Sequence, residues 1–312
     1  MTELAVRVQG LRKRYGDVRA VDGLDLAIRY GEVFGLLGPN GAGKSTTVEI
    51  LQGHRTRDSG EVAVLGADPG GADRDWRSRV GIVWQDESAP AELTVRETVA
   101  HFAHYYPRPR DPDEVIALVG LEEKARHRVK GLSGGQRRRL DVALGVIGGP
   151  DLLLLDEPTT GFDPAARRQF WELIRMLAAG GTTIVLTTHY LEEAEALADR
   201  LAVIAAGRVV AEGVPARLRE AFGTYATVEW QEPDGTVRTE RTGTPTRAVA
   251  ELMGRFDGEI PGLRITRPSL EDVYLRLIGG PESGPESGAE GGPEPDAPAA
   301  ASDSPDPREG AR

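Results

Sequence analysis

A chain of 312 residues is long enough to bury a large α/β core with a smaller unit beside it, and its lack of any cysteine rules out a disulfide framework and a thiolate zinc site. No unbroken aliphatic run exceeds the six residues LAVIAA at 201–206, far short of the ~20 apolar residues of a membrane-spanning helix, and no secretion-signal core opens the chain, so a cytoplasmic protein that does not itself cross a bilayer is expected. The formal charge of −11 argues against a general nucleic-acid binder; in 279–312 eight acidic residues against two arginines give a net −6, leaving an ordinary −5 on the rest.

In chain order, the strand candidates are LAVRV (4–8), EVFGLL (32–37), EVAVL (61–65), VGIVW (80–84), LLLL (152–155) and TIVLTT (183–188), and LAVIAAGRVVAEG (201–213) predicts a hairpin about Gly207. Runs apolar on both faces suit central strands of a buried, mostly parallel sheet. TTVEILQG (46–53) is helix-like, and from 92 to 130 the pattern turns wholly helical, as in LTVRETVAHFAHYY and DEVIALVGLEEKARHRVK, which predicts a helical lobe inserted into a sheet-based body. A further amphipathic helix follows Ser133-Gly134-Gly135, with Leu140, Ala143, Leu144 and Ile147 at helical spacing. Residues 224–278 predict a small α+β appendage: YATVEW and LRIT are strand-like, TRAVAELMGRF and SLEDVYLRLI helix-like. Beyond it, 279–312 contains PESG twice and continues in Gly, Pro, Ala and Asp without a large apolar side chain, the composition of a disordered tail.

The first chemistry-bearing stretch is GPNGAGKST, from Gly38 through Pro39, Asn40, Gly41, Ala42, Gly43, Lys44 and Ser45 to Thr46, which follows an apolar strand and leads into a helix. That is the setting of a phosphate loop: glycines let backbone N–H groups wrap the phosphates, Lys44 places its ammonium by the β and γ phosphates, and the Ser45 hydroxyl can hold Mg²⁺. LLLLDEP (152–158) puts Asp156 and Glu157 at the end of a buried strand, where ligands of open α/β sheets bind. Asp156 can then hold the magnesium, directly or through water, while Glu157 orients and polarises an attacking water; the plainer account has Glu157 capping the following turn. His189, after TIVLTT, ends a neighbouring strand and projects toward the same crevice, as a γ-phosphate contact or as a structural residue. Gln85, after VGIVW, stands at the entry to the helical lobe, where a magnesium contact can report nucleotide state; alone, a glutamine there is also an ordinary turn residue. Tyr15, in RKRYGDV, can stack on a purine ring or simply pack.

LSGGQ (132–136) offers a second set of helix N-terminal N–H groups to an anion. Ser133 and Gln136 fit an S-x-x-Q capping box, which explains the helix start without any ligand. It does not explain Gly134 and Gly135, which are expensive in a first helical turn unless something approaches the backbone closely. Arg137, Arg138 and Arg139 oppose the helix dipole there, so an anion nearby is expected.

Taken in order, GPNGAGKST, Gln85, LSGGQ, LLLLDEP, the TGFD of 160–163 and His189 resemble the nucleotide-binding domain of ABC transporters over about residues 1–222. The resemblance implies an α/β fold, a P-loop NTPase core of ABC type: a mostly parallel sheet with helices on both faces, an antiparallel β part and an inserted helical subdomain at about 86–148. A small C-terminal α+β domain (223–278) and the acidic tail would come after it. It also implies that two copies sandwich two ATP molecules head to tail. Ser133, Gly134, Gly135 and Gln136 then contact the γ-phosphate on the partner's phosphate loop, which explains the second cradle. Tyr15 would stack on adenine, Gln85 would couple nucleotide to the helical lobe and join Ser45 and Asp156 around Mg²⁺, Asp163 would lie in the loop crossing the interface, and His189 would be the switch histidine beside Glu157 and Lys44.

More narrowly, RRRLDVAL, EPTTGFDPAARR and SLEDVYLRL are similar to ATPase subunits of ABC-2 type exporters of the daunorubicin-resistance sort, with Phe162 where leucine is more usual. That similarity implies a homodimer with two competent sites, powering export of a drug, antibiotic or lipid-like compound through a separate ABC-2 type permease. The chain would lie on the cytoplasmic face of the membrane, held there by that permease, without nucleic acid. The alternatives are an importer ATPase, a soluble ABC ATPase acting on ribosome or DNA, and a nucleotide-responsive binding module.

Overall fold

The computed structural model describes residues 3–84, 91–222, 225–256, 258–267 and 269–279. Gln85 and the segment beyond 279 lie outside the described residues. The chain opens with two long antiparallel strands, β1 (Leu4–Tyr15) and β2 (Val18–Arg29), followed by β3 (Val33–Leu37), α1 (Lys44–Leu51), β4 (Ser59–Val64), α2 (Arg74–Ser78) and β5 (Val80–Val83). The helical lobe contributes α3 (Val95–Ala103), α4 (Pro112–Leu118) and α5 (Gly134–Val146). Then come β6 (Leu152–Asp156), α6 (Pro164–Ala179), β7 (Thr183–Thr188), α7 (Leu191–Leu197), β8 (Arg200–Ala205), β9 (Arg208–Gly213) and α8 (Pro215–Phe222). The last elements are β10 (Ala226–Gln231), β11 (Val237–Thr242), α9 (Pro245–Met253), β12 (Arg264–Thr266) and α10 (Leu270–Gly279).

The central sheet runs β5-β6-β7-β3-β8-β9, parallel from β5 to β8 and closed by the antiparallel β8–β9 hairpin. A second, antiparallel sheet has the order β2-β1-β4. The four leucines of β6 show why both faces had to be apolar. Leu152 and Leu154 join the core beneath β1, β2 and α1, whereas Leu153 and Leu155 join the core shared with α3, α4, α5 and α6. With side chains alternating at period two, a strand covered on both faces reads as one apolar run.

Local chemistry starts the helices. Thr94 and Glu97 close a capping box on α3, Asp111 caps α4 ahead of Pro112, and Asp163 accepts from the N–H groups of Ala165 and Ala166 to start α6 ahead of Pro164. The stretch 92–130 is less helical than its pattern predicts. Beyond α3 and α4 it holds only two short 3₁₀ turns, at 122–124 and 129–131, because Pro107, Pro109, Gly120 and Gly131 punctuate it. β2, β11, α2, α6 and α8 are elements beyond those the sequence candidates named.

In the C-terminal part, β10 pairs with β11 on one side and β12 on the other, and α9 covers Val228 and Trp230. α10 leaves that small sheet: Leu270 and Tyr274 pack with Leu218 of α8, Leu201 and Val203 of β8 and Ala194 of α7. Among the described residues, no helix is long and apolar enough to cross a membrane.

Candidate functional site

The loop between β3 and α1 owes its shape to Gly43, the residue that caps α1. Its φ is 102°, and a Cβ there would lie 2.2 Å from the Ala20 carbonyl oxygen, so only glycine lets the loop turn against β2. No side chain caps α1, which leaves its first N–H groups available to an anion. Lys44, 4% exposed, curls back beneath the loop: its Nζ donates to the carbonyls of Gly38 (2.7 Å) and Pro39 (3.2 Å) and stands 3.7 Å from Glu157 Oε1. Burial pulls the ammonium's pKa below its ordinary value, and the Glu157 and Asp156 carboxylates oppose that pull.

The neighbouring strand ends deliver the acids. Asp156, the last residue of β6, accepts at Oδ1 from Thr187 Oγ1 (2.5 Å) and from Ser45 Oγ (3.3 Å). Glu157 has φ 42°, a left-handed conformation that costs a non-glycine residue about 1–3 kcal/mol and persists only when its surroundings impose it. Its N–H donates to Thr187 Oγ1 (2.9 Å), Thr160 Oγ1 donates to its Oε2 (3.3 Å), and His189 Nδ1 lies 3.2 Å from that same oxygen. The structure therefore brings Lys44, Ser45, Asp156, Glu157 and His189 together. It adds Thr187, which no motif flagged; the signal is the Thr-Thr pair closing TIVLTT on the central strand next to β6.

Of these groups, Lys44, Ser45 and Glu157 line a cleft of about 490 Å³ together with the loop residues Asn40, Gly41, Gly43 and Thr46 and with Tyr15, Val18 and Ala20. Tyr15 stands half-exposed at its rim, with the Arg55 guanidinium 5.2 Å from the ring centroid. Behind the site, Glu193 of α7 is fully buried and accepts from Trp171 Nε1 (3.3 Å). Burial pushes its pKa up, and nearby polar groups, the Trp171 N–H among them, oppose the rise.

Ser133, Gly134, Gly135 and Gln136 lie elsewhere. None of them lines the cleft among the described residues. Ser133 and Gln136 close the capping box, N–H to Oε1 at 3.0 Å and N–H to Oγ at 3.3 Å. The glycines have no internal reason. A Cβ on Gly134 meets nothing within 4 Å, and one on Gly135 meets only Ala166 Cβ at an ordinary 3.5 Å. Open space fronts the helix, so α5 presents bare backbone outward.

The arginines correct an expectation. Arg138 and Arg139 need no anion to balance them, because their partners are inside the chain. Arg138 is buried and donates from Nε to the Pro158 carbonyl (3.0 Å), from Nη2 to the Asp156 carbonyl (3.0 Å) and from Nη1 to the Trp84 carbonyl. Arg139 donates to Gln169 Oε1 (2.5 Å) and the Val119 carbonyl (3.3 Å). Asp163, beyond capping α6, ends the TGFD loop, in which Phe162 packs edge-on against Phe170 at 5.7 Å.

Comparison with known proteins bears on this arrangement. The pattern of the ABC transporter family matches residues 21–160. The chain is 42% identical over 304 residues to the Nod factor export ATP-binding protein I of Rhizobium sp. (strain N33), covering 89% of this chain and 98% of that protein. It is 39% identical over 309 residues to the daunorubicin resistance ATP-binding protein DrrA3 of Streptomyces coeruleorubidus, covering 89% and 97%. Among solved structures, cbiO1 from Clostridium perfringens, part of the ABC transporter complex cbiONQ, is 28% identical with a TM-score of 0.64, covering 69% of this chain and 90% of that one. A dimeric ATP-binding cassette in a post-hydrolysis state bound to ADP and Pi is 26% identical with a TM-score of 0.60, covering 67% and 98%.

Proposed function

The chain belongs to the ABC transporter family as an ATP-binding, ATP-hydrolysing subunit of the export kind, and on that premise we propose how its residues divide the work and what it drives. One observation carries the proposal: the chain holds half a site twice. The cleft gathers a phosphate loop and the carboxylate of a residue with a left-handed backbone, while the glycine-fronted end of α5 has open space before it and is not part of the cleft's lining. Two copies facing head to tail complete both halves, the α5 terminus of each meeting the γ-phosphate on the partner's loop.

In each pocket, Gly38 to Thr46 wrap the phosphates, Tyr15 stacks on adenine, and Lys44 turns from its carbonyls to the β and γ oxygens. Ser45 Oγ and Asp156 Oδ1, hard oxygens 3.3 Å apart, suit a magnesium ion that takes its other ligands from phosphate and water. Bound there, with Gln85 as a further ligand, the ion would neutralise charge on the β and γ oxygens. Glu157 holds and polarises the attacking water, and His189 contacts the γ-phosphate from the other side of that carboxylate. Thr187 fixes both acids by gripping the Asp156 side chain and the Glu157 N–H.

We assign residues 1–222 to the ATPase domain, with its helical subdomain at about 86–148, and 223–278 to a small domain that α10 fastens back to it. The motor acts on a separate ABC-2 type permease, which keeps the chain on the cytoplasmic face of the membrane. A groove of about 360 Å³ between α2, β5 and the helical lobe, lined by Trp76, Val80, Trp84, Phe102, Tyr106 and Leu144 with Gln52, Arg77 and Asp141 beside them, would be where that permease engages the chain. The relatives named for Nod factor export and daunorubicin resistance support export of a drug, antibiotic or lipid-like compound. The test is ATP hydrolysis by the purified chain with and without its permease in liposomes, together with ATP-driven uptake into inverted vesicles. Stimulation by the permease and ATP-dependent uptake are expected; turnover indifferent to the permease would overturn the assignment.

A further inference from the structure

Arg138 is the least explained residue of the site's surroundings. It lies one turn into α5, the helix whose bare N terminus faces outward, yet its guanidinium is buried beneath the hydrolytic loop of the same chain. Its three donors take the carbonyls of three residues from two segments: Asp156 and Pro158, on either side of Glu157, and Trp84, just past the end of β5. Glu157 is the residue held at φ 42° between them. A left-handed glutamate relaxes unless the peptides flanking it are fixed. Arg138 Nη2 on the Asp156 carbonyl and Thr187 on the Glu157 N–H grip the peptide before it, the Thr160 N–H donates to the Glu157 carbonyl (3.3 Å) of the peptide after it, and Arg138 Nε holds the next carbonyl along, that of Pro158. Arg138 is also rigidly geared to the α5 terminus, because one turn of hydrogen-bonded helix joins them. A planar fork spans carbonyls that a lysine, a single point donor, cannot. Asp141, 4.0 Å from Nη1, offsets part of the cost of burying the charge.

We propose that Arg138 is a positioning residue that makes hydrolysis in one pocket depend on occupancy of the other: the α5 terminus docks on the partner's nucleotide, and Arg138, on the same helix, sets the backbone that aims Glu157 in its own pocket. This rests on the head-to-tail dimer proposed for the chain, and goes further by assigning the link between the two pockets to one side chain.

The test replaces Arg138 by lysine and by methionine in the full chain and measures ATP hydrolysis against ATP concentration. In parallel, the Glu157→Gln background reports ATP-dependent dimerisation by light scattering. Wild type is expected to show a Hill coefficient above 1, bounded by about two sites. Arg138→Met should lower kcat roughly 10- to 100-fold, the scale of a misplacement of about 1 Å, with KM changed less than about twofold. It should also bring the Hill coefficient to about 1 while the ATP-dependent dimer persists. Arg138→Lys should fall between the two and keeps the buried positive charge, so the series remains decisive if the methionine variant folds poorly. Wild-type kcat and Hill coefficient in Arg138→Lys would overturn the proposal, as would a rise in KM with loss of the dimer, which marks a merely structural role. Failure of the parent Glu157→Gln chain to dimerise with ATP would instead defeat the dimer reading itself.

Discussion

Replacing Glu157 by glutamine separates charge from shape at the centre of the cleft. Glutamine keeps an oxygen for Thr160 and His189, and the backbone held by Thr187 and Arg138 is untouched. What disappears is the basic carboxylate that polarises water, a contribution of about 10² to 10⁴ in rate or ~3–5 kcal/mol of barrier. The same change removes a negative charge 3.7 Å from Lys44, from the place where the triphosphate's own charge must settle, so ATP binding tightens as turnover falls. Phosphate release should drop by those orders of magnitude while magnesium and ATP drive a dimer visible by light scattering. Glu157→Gly supplies the complementary control. Glycine adopts φ 42° without strain, so this variant should be inactive yet more stable by about 1 kcal/mol in denaturant titration. Turnover by Glu157→Gln within about threefold of wild type would remove Glu157 as the base. A glycine variant less stable than wild type would refute stored strain.

Lys44→Ala deletes the buried ammonium that the loop and both carboxylates surround, and should weaken nucleotide affinity at least about tenfold in calorimetric titration; unchanged affinity would dismiss Lys44 as the phosphate contact. The chain has no cysteine, so Asn40→Cys with Gly134→Cys introduces a single reporting pair. Cross-linked dimers on gels should form in the Glu157→Gln background only when magnesium and ATP are present, and ATP-independent or purely intrachain products would contradict the head-to-tail arrangement. Glu193 carries a pH signature. Its folded pKa is raised by burial, so its stabilising contribution is complete below the ordinary glutamate pKa of about 4.5 and fades as pH climbs through the raised value. Thermal melts from acid to neutral pH should therefore decline more steeply for wild type than for Glu193→Gln, and parallel slopes would show that Glu193 titrates normally.

Much of the site could be read from the sequence because its parts are local. A phosphate loop is nine consecutive residues whose glycine spacing is legible by itself, and the two acids and His189 mark strand ends that a run of leucines or of Ile, Val and Leu announces. β2 escaped notice because Asp22-Gly23 interrupts its alternation like a turn. The structure instead places Gly23 at φ 80° within the strand and pairs Asp22 with Arg208 and Arg12 from neighbouring strands. α10 looked like part of the appendage, and only packing sends Leu270 and Tyr274 back to α8 and β8.

The three arginines after LSGGQ show the limit most clearly. Their charge argued for a nearby anion, but a guanidinium is satisfied as well by carbonyl oxygens, and no local pattern records which carbonyls a fold will bring within reach. The order of residues settled which groups can grip phosphate and activate water, since those capacities belong to side chains and short loops. Tertiary structure alone decided that Thr187 joins the two acids, that Glu157 is held in a left-handed turn and that Arg138 grips the carbonyls of the residues on either side of it. Each of these depends on contacts between segments about 20 to 50 residues apart or more, and at such separations only the packing of the whole sheet fixes distance and direction.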